Sequence, residues 1–185
     1  MEPFRHHARR LVLERRIFRL HEEDVEHPHT GQRMAITVIE APAWCNIVPV
    51  TDDGEVVLVR QWRFGVRRLT LEIPGGMVDP GEAPPHAAAR ELLEETGYAA
   101  QAVIPIGVVA ANPAIQDNMV YSFYAPGVRK VAEPHNDGNE ATEVVRVPMA
   151  RIPALVESGE IDHSLVVAAF FHLARLAGGQ LGVAP

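Results

Sequence analysis

The stretch from Gly75 to Tyr98, "GGMVDPGEAPPHAAARELLEETGY", constrains this chain more than any other. The strand-like "LTLEIPGG" (69–76) runs into two glycines, and an acidic turn carrying Glu82 follows. Pro84 and Pro85 then suit the first turn of a helix, and Gly97 suits the position just after its end. At about 100° per residue, Ala89, Leu92, Leu93 and Thr96 share one face of helix 84–96, while Glu91, Glu94 and Glu95 share the opposite one. The apolar side is expected to dock on a sheet and the acidic side to look outward. Like charges three and four residues apart repel by roughly 0.2–0.5 kcal/mol per pair on an exposed helix. The helix contains no lysine, and Arg90 is its one basic side chain apart from His86. Carboxylate oxygens grouped in this way suit Mg²⁺, or Mn²⁺ as a substitute, rather than zinc, which prefers His and Cys. A bound divalent cation would turn the repulsion into coordination.

The rest of the chain reads as strands around that helix. "LVLERRIFRL" (11–20) and "RMAITVIEA" (33–41) read as two strands joined by the polar, turn-rich "HEEDVEHPHTGQ". "WCNIVPV" (44–50), "TDDG" (51–54) and "EVVLVRQW" (55–62) make the clearest hairpin. Further strands are expected at 102–111, 119–125 and 143–148, and helices at 150–159 and 163–179, the last capped by His163 or Ser164. A polar loop occupies 129–143. Many strands, one helix mid-chain and two at the end give an α+β class with a mixed sheet and helices packed on it.

Composition narrows the function. A net charge of −7 argues against nonspecific binding to nucleic acid or membrane. The positive charge is uneven: Arg5, Arg9, Arg10, Arg15, Arg16 and Arg19 crowd one end, and Arg60, Arg63, Arg67 and Arg68 crowd a later stretch. Such clusters are solvated faces or meet anionic phosphate. With Cys45 as the single cysteine no intrachain disulfide forms, and a reducing, cytoplasmic setting is expected. The N-terminal "MEPFRHHARR" lacks a following apolar core and does not read as a signal peptide. No run of 18 apolar residues is present.

From Gly76 onward the spacing resembles the complete Nudix box, with Gly76, Glu82, Arg90, Glu91, Leu92, Glu94, Glu95, Gly97 and Tyr98 at its fixed positions. The resemblance implies the Nudix fold, a mixed β-sheet sandwiched by helices, here with an N-terminal antiparallel hairpin extension. It divides the chain into residues 1–42, a β extension serving dimerisation, and 43–185, the hydrolase domain. It implies hydrolysis of a nucleoside diphosphate linked to another moiety, with Mg²⁺ held by Glu91, Glu94 and Glu95, the Gly75 carbonyl adding a ligand and Glu82 serving as a partner of the metal or of its ligands. Arg90 orients the carboxylates.

The flanks resemble the ADP-ribose pyrophosphatase branch, which cleaves nucleoside diphosphate sugars. Arg63 stands where that branch contacts substrate, with Glu72 nearby. Alignment of the closing segment places the loop general base on Glu140, with Glu143 as runner-up. "NPA" at 112–114 departs from the branch's usual form, closer to Ser-Pro-Gly. The branch exchanges its N-terminal strands across a homodimer and stacks adenine between subunits, for which Phe18 and Trp44 are candidates. Met77 stands where it would touch base or ribose. GDP-mannose, dinucleoside polyphosphates, coenzyme A and nucleoside triphosphates stay open as substrates, because the box sets the reaction and not the leaving group. A non-catalytic nucleotide-sugar sensor is the reading from another class, and it predicts a degraded box.

Overall fold

The computed structural model describes residues 2–135 and 142–178. It divides into two compact units, one formed by residues up to Ala43 together with Ala110–Met119, the other by Trp44–Val109 and the chain from Val120 onward.

The first unit is built on a three-stranded antiparallel sheet, β1 (Arg5–Glu14), β2 (Arg19–Glu26) and β3 (Arg33–Glu40), in that order. The expected two-strand extension is thus three strands. The span 11–20 is broken by a turn in which Arg15 N–H donates to Phe18 O at 2.9 Å, and the supposed connection "HEEDVE" is most of β2. The reason is cross-strand charge. Arg9 lies 3.4 Å from Glu23 and 2.7 Å from Glu40, Arg10 lies 2.6 Å from Glu22, and Arg19 lies 2.7 Å from Glu14 and 3.1 Å from Glu40. Opposite charges facing across a ladder stabilise it by roughly 0.2–1 kcal/mol each, so a polar composition does not preclude a strand. These pairs also account for much of the N-terminal arginine cluster. Asp117 is tied to the same sheet: its carboxylate accepts from Ala41 N–H at 3.1 Å, and its own N–H donates to Ile39 O at 3.2 Å.

The second unit carries β4 (Trp44–Val50), β5 (Glu55–Arg63), β6 (Arg68–Glu72), β7 (Gly75–Met77), β8 (Tyr98–Ala99), β9 (Ile104–Ala110), β10 (Met119–Pro126), β11 (Arg129–Lys130) and β12 (Thr142–Pro148). Its helices are α1 (Pro84–Thr96), α2 (Ile152–Glu157) and α3 (Ser164–Leu176). The main sheet is mixed, ordered β12-β5-β4-β10-β9, with β6 on β5 and β7 on β4. The expected β4–β5 hairpin shrinks to a single registered pair, Val50 with Val56, because the edge of β4 away from β10 is taken by β7 over Trp44–Asn46 and the far half of β5 pairs with β6.

Strand alternation sorts the sheet into two faces. Val48, Val50, Val56, Leu58 and Leu71 meet Ile152, Leu155, Val166, Ala169, Phe170 and Leu173 from α2 and α3 in one core. The alternate positions Ile47, Val57 and Val59, each 0% exposed, belong to the other face, where α1 contacts β4, β5 and β7. Leu92 of α1 is fully buried, a contribution of about 1.5–3 kcal/mol. The helix ends where expected: Pro84 opens it, and Gly97 closes it at φ 74°, its N–H donating to Leu93 O at 2.8 Å. At α3, His163 is the cap, its Nδ1 accepting from Leu165 N–H at 3.3 Å. No helix among the described residues is long and apolar enough to cross a membrane.

Candidate active site

The site grows from the glycine pair. β7 lies against β4 with Gly75 opposite Asn46, Gly76 opposite Cys45 and Met77 opposite Trp44. A Cβ at position 75 would stand 2.8 Å from Asn46 Cα, and one at 76 would stand 2.6 Å from Glu91 Cδ. Only glycine lets this strand lie so close to β4 on one side and to the α1 carboxylates on the other. After β7 the chain turns, Glu82 N–H donating to Asp79 O at 2.9 Å, and Asp79 N–H to the Glu82 carboxylate at 3.2 Å. That turn presents Glu82 to α1.

Arg90 is the hub. Its Nε and one Nη reach the two Glu82 oxygens at 3.1 and 3.0 Å, and that Nη also donates to Met77 O at 3.2 Å. The other Nη donates to Glu91 at 2.9 Å and Glu94 at 3.0 Å. One cation thus joins three carboxylates and the turn before the helix, so the acidic face is not an array of isolated charges. The bonds to Glu82 hold the guanidinium firmly protonated against the opposing effect of burial. In return Arg90 keeps the Glu82 carboxyl below the usual range.

The face assignment needs two corrections. Glu95 does not look outward: it is only 6% exposed, and its Oε2 accepts the Gly75 N–H at 3.1 Å. Leu93, expected on the sheet side, is 40% exposed. A backbone amide partly withdrawn from water is satisfied by an acceptor, and Glu95 supplies one to the half-buried Gly75, so that the buried stripe runs through Ala88, Leu92, Glu95 and Thr96.

Glu91, Glu94 and Glu95, with Glu82 beside them, offer oxygen donors that suit a hard divalent cation. Among the described residues no three such groups are gathered closely enough to hold an ion as they stand, since Arg90 and the Gly75 amide engage these oxygens. The donor chemistry fits, and Gly76 leaves the Glu91 carboxylate uncovered by a side chain from β7.

Arg63 and Glu72 meet as expected from their neighbourhood. The guanidinium donates from Nε at 2.7 Å and from Nη at 2.6 Å to the two carboxylate oxygens. Glu72 is 2% exposed. Burial favours its neutral form, but the Arg63 bonds and a hydroxyl from Thr70 at 2.7 Å outweigh burial and lower its pKa. Register places Glu72 opposite Val59 and Thr70 opposite Gln61, so both share the α1 face of the sheet. Met77 and Trp44 are half-buried neighbours across β4–β7. Phe18, half-buried, belongs to the first unit.

The two base candidates fare differently. Glu140 lies outside the described residues. Glu143 sits in β12 opposite Arg60, which donates to it at 2.7 Å, and its side chain is 66% exposed. Alternation sets it on the strand face opposite Thr142, whose Oγ contacts Glu95 O at 3.4 Å. At the other edge of the same segment His135 N–H donates to Glu94 O at 2.7 Å. Described residues on both sides of Glu140 are therefore bonded to the last turn of α1.

Thr70 escaped the sequence reading, although its signal was available: it precedes Glu72 by two on a strand and so shares its face. Cys45 is a further neighbour, buried as a small apolar residue. Its thiol is pushed up to about 11 by burial and by the Glu91 charge, while a bond with the Gly76 backbone acts the other way. It is an apolar filler behind the diglycine.

A mixed sheet between helices, with a glycine-paired strand feeding a carboxylate helix whose arginine binds the preceding turn, defines a Nudix-type hydrolase domain. The family profile described as NUDIX domain matches residues 41–170, and the chain belongs to the Nudix family as a Nudix hydrolase. It is 33% identical over 155 residues to the ADP-ribose pyrophosphatase of Bacillus subtilis (strain 168), covering 83% of each chain. It is 26% identical to the methanol dehydrogenase activator of Bacillus methanolicus, covering 88% of each. The crystal structure of an ADP compounds hydrolase shares the fold, with a TM-score of 0.85 at 24% identity over 99% of this chain and 98% of that one.

Proposed function

We propose that this Nudix hydrolase cleaves the pyrophosphate of a nucleoside diphosphate sugar, ADP-ribose being preferred, to a nucleoside monophosphate and a sugar phosphate. The observation that carries the reading is the pairing of two elements on one sheet face: the α1 carboxylates and a guanidinium, Arg63, clamped at both nitrogens by a buried Glu72. The ADP-ribose pyrophosphatase relative supports the substrate class.

Glu91, Glu94 and Glu95 would hold Mg²⁺, with Mn²⁺ as a substitute and the Gly75 carbonyl beside them. When bound, such a cation neutralises phosphate charge and acidifies a coordinated water. The protein's own residues do the rest. Arg90 holds the orientation of Glu82, Glu91 and Glu94 through its bonds to all three, and its bonds to Glu91 and Glu94 give way as those oxygens turn to the cation. Arg63 binds a phosphate oxygen, held in direction by Glu72. Met77 is assigned to base or ribose, and Phe18 and Trp44 to adenine stacking between the subunits of a homodimer. Glu140 takes a proton from the attacking water. The water oxygen bonds to one phosphorus, the bridging P–O bond breaks, and the bridging oxygen leaves with the other phosphate. Residues 1–42 are assigned to dimerisation, and the setting to the cytoplasm.

The test is a panel of ADP-ribose, GDP-mannose, diadenosine polyphosphate, coenzyme A and nucleoside triphosphates with Mg²⁺. The expected result is the highest kcat/KM on ADP-ribose. A higher value on any other member reassigns the substrate. Tight ADP-ribose binding with no turnover on the whole panel favours the sensor.

A further inference from the structure

The support beneath Arg63 extends one residue further than the ion pair. Glu72 is a carboxylate removed almost wholly from water, and each of its oxygens needs a donor. Arg63 supplies Nε to Oε1 at 2.7 Å and Nη to Oε2 at 2.6 Å. Oε1 receives a second donor, the hydroxyl of Thr70, also at 2.7 Å. Thr70 is itself only 5% exposed, and its other polar contact, Gln61 O, is longer at 3.3 Å. The hydroxyl has one proton to give, and its shorter contact is to the charged acceptor. The Arg63 side chain is 42% exposed. The arrangement therefore runs from a buried hydroxyl, through a buried carboxylate, to a guanidinium at the surface of the α1 face.

We propose that Thr70 is a positioning residue for substrate binding: its hydroxyl fixes the rotamer of Glu72, and Glu72 in turn fixes the direction in which Arg63 meets an anionic phosphate oxygen. This rests on the reading of Arg63 as a substrate contact. A long arginine side chain loses considerable rotamer freedom when it is held in one orientation. Thr70 and Glu72 impose that loss before substrate arrives. Without the hydroxyl, Oε1 keeps the Arg63 Nε bond alone, the Glu72–Arg63 pair loses its anchor to β6, and part of the ordering falls on the binding step. The consequence is confined to affinity, because neither Thr70 nor Glu72 touches the reacting atoms.

The experiment is a double-mutant cycle on the full chain, with ADP-ribose and Mg²⁺, reading KM and kcat separately. Thr70→Val keeps the shape and removes the hydroxyl. It is expected to raise KM about tenfold, the scale of one hydrogen bond to a charged group, with kcat within about twofold. Thr70→Ser is expected to restore KM. In a background of Arg63→Lys, which by itself raises KM, Thr70→Val is expected to add little, because the two act as one unit. An unchanged KM for Thr70→Val beside a raised KM for Arg63→Lys overturns the positioning role and leaves the Arg63 reading standing. Full additivity of the two also overturns it. An unchanged KM for Arg63→Lys removes the substrate contact itself, and the inference falls with it. Should Thr70→Val not fold, Thr70→Cys, of similar size with a weak donor, is put through the same cycle with the same criteria.

Discussion

Gly76 stands directly against the Glu91 carboxylate: a methyl group added at its Cα would lie 2.6 Å from Glu91 Cδ and 2.9 Å from Oε2. The obstructed atoms are the far end of a flexible side chain, not backbone. Gly76→Ala is therefore expected to move Glu91 and leave the strand in place. Misplacing a catalytic group by about 1 Å costs roughly a hundredfold in rate. The expected outcome is a fall in kcat of that order with a Tm change of no more than about 2–4 °C, read by steady-state kinetics and thermal unfolding. A collapse of Tm with kcat intact would show that Gly76 serves the backbone alone.

Gly97 gives the opposite pattern. Its φ is 74°, where side chains with a Cβ are strained, and an added Cβ would also meet Ala132 C at 2.8 Å. Here the obstacle is main chain, which does not swing away. Gly97→Ala is expected to destabilise the fold by about 1–3 kcal/mol, measured by urea unfolding, while kcat of the folded fraction stays close to wild type. A stability unchanged by the substitution would mean that the helix end relaxes at no cost.

Glu95 tests the metal reading. Its carboxylate binds the Gly75 amide, so Glu95→Gln keeps an acceptor for that N–H and removes the charge. The expected loss is about 2–4 kcal/mol of transition-state stabilisation, of the order measured for a single charge-stabilising group, with weakened Mn²⁺ binding by electron paramagnetic resonance. Chelation with EDTA is expected to abolish turnover and added Mg²⁺ to restore it. Wild-type turnover in a Glu94→Gln, Glu95→Gln double variant would remove the assignment.

Helix α1 was legible from Pro84 to Gly97 because its two ends are fixed by backbone chemistry that a sequence carries openly: a ring that suits a first turn and a residue tolerant of positive φ. Its orientation was less legible. Periodicity counts apolar side chains, and so it placed Leu93 inward and Glu95 outward. The deciding contact is an amide from another strand, Gly75, twenty residues earlier, which no local pattern registers. β2 was hidden for a related reason. Its carboxylates resemble a solvated loop until the β1 arginines are seen opposite them, and register is a property of two strands. The partnership of Arg63 and Glu72 came from family resemblance, and Thr70 was missed because the resemblance names residues that meet substrate and is silent about what lies beneath them.

Glu72 also predicts a pH dependence. Its pKa in the folded state lies below the ordinary glutamate value of 4.5. A carboxyl with a depressed folded pKa contributes stability that is present above the unfolded value and is lost as pH falls through the folded one. The window therefore lies below about pH 4.5. Urea unfolding across that range is expected to show a steep acid decline in wild type. Glu72→Gln, less stable at neutral pH, is expected to decline less steeply. Parallel slopes for the two proteins would show that Glu72 is not the group lost.

Strand geometry bears on one of the two proposed bases, Glu143. Thr142 points toward the last turn of α1, where its hydroxyl contacts Glu95 O, and successive side chains of a strand alternate. Glu143 therefore projects from the other face, where Arg60 engages it in an exposed ion pair at 2.7 Å. Such a pair contributes about 0.2–1 kcal/mol. Glu143→Gln is accordingly expected to change unfolding free energy by no more than that and to leave kcat near wild type. Glu140→Gln is expected to lower kcat by about 10²–10⁴-fold, the range for losing a general base, with KM little altered. Pre-steady-state turnover of ADP-ribose by the two variants decides the matter. If the larger loss falls on Glu143, β12 must reach the scissile phosphate by its opposite face, and the α1 face would no longer be the side on which water is activated.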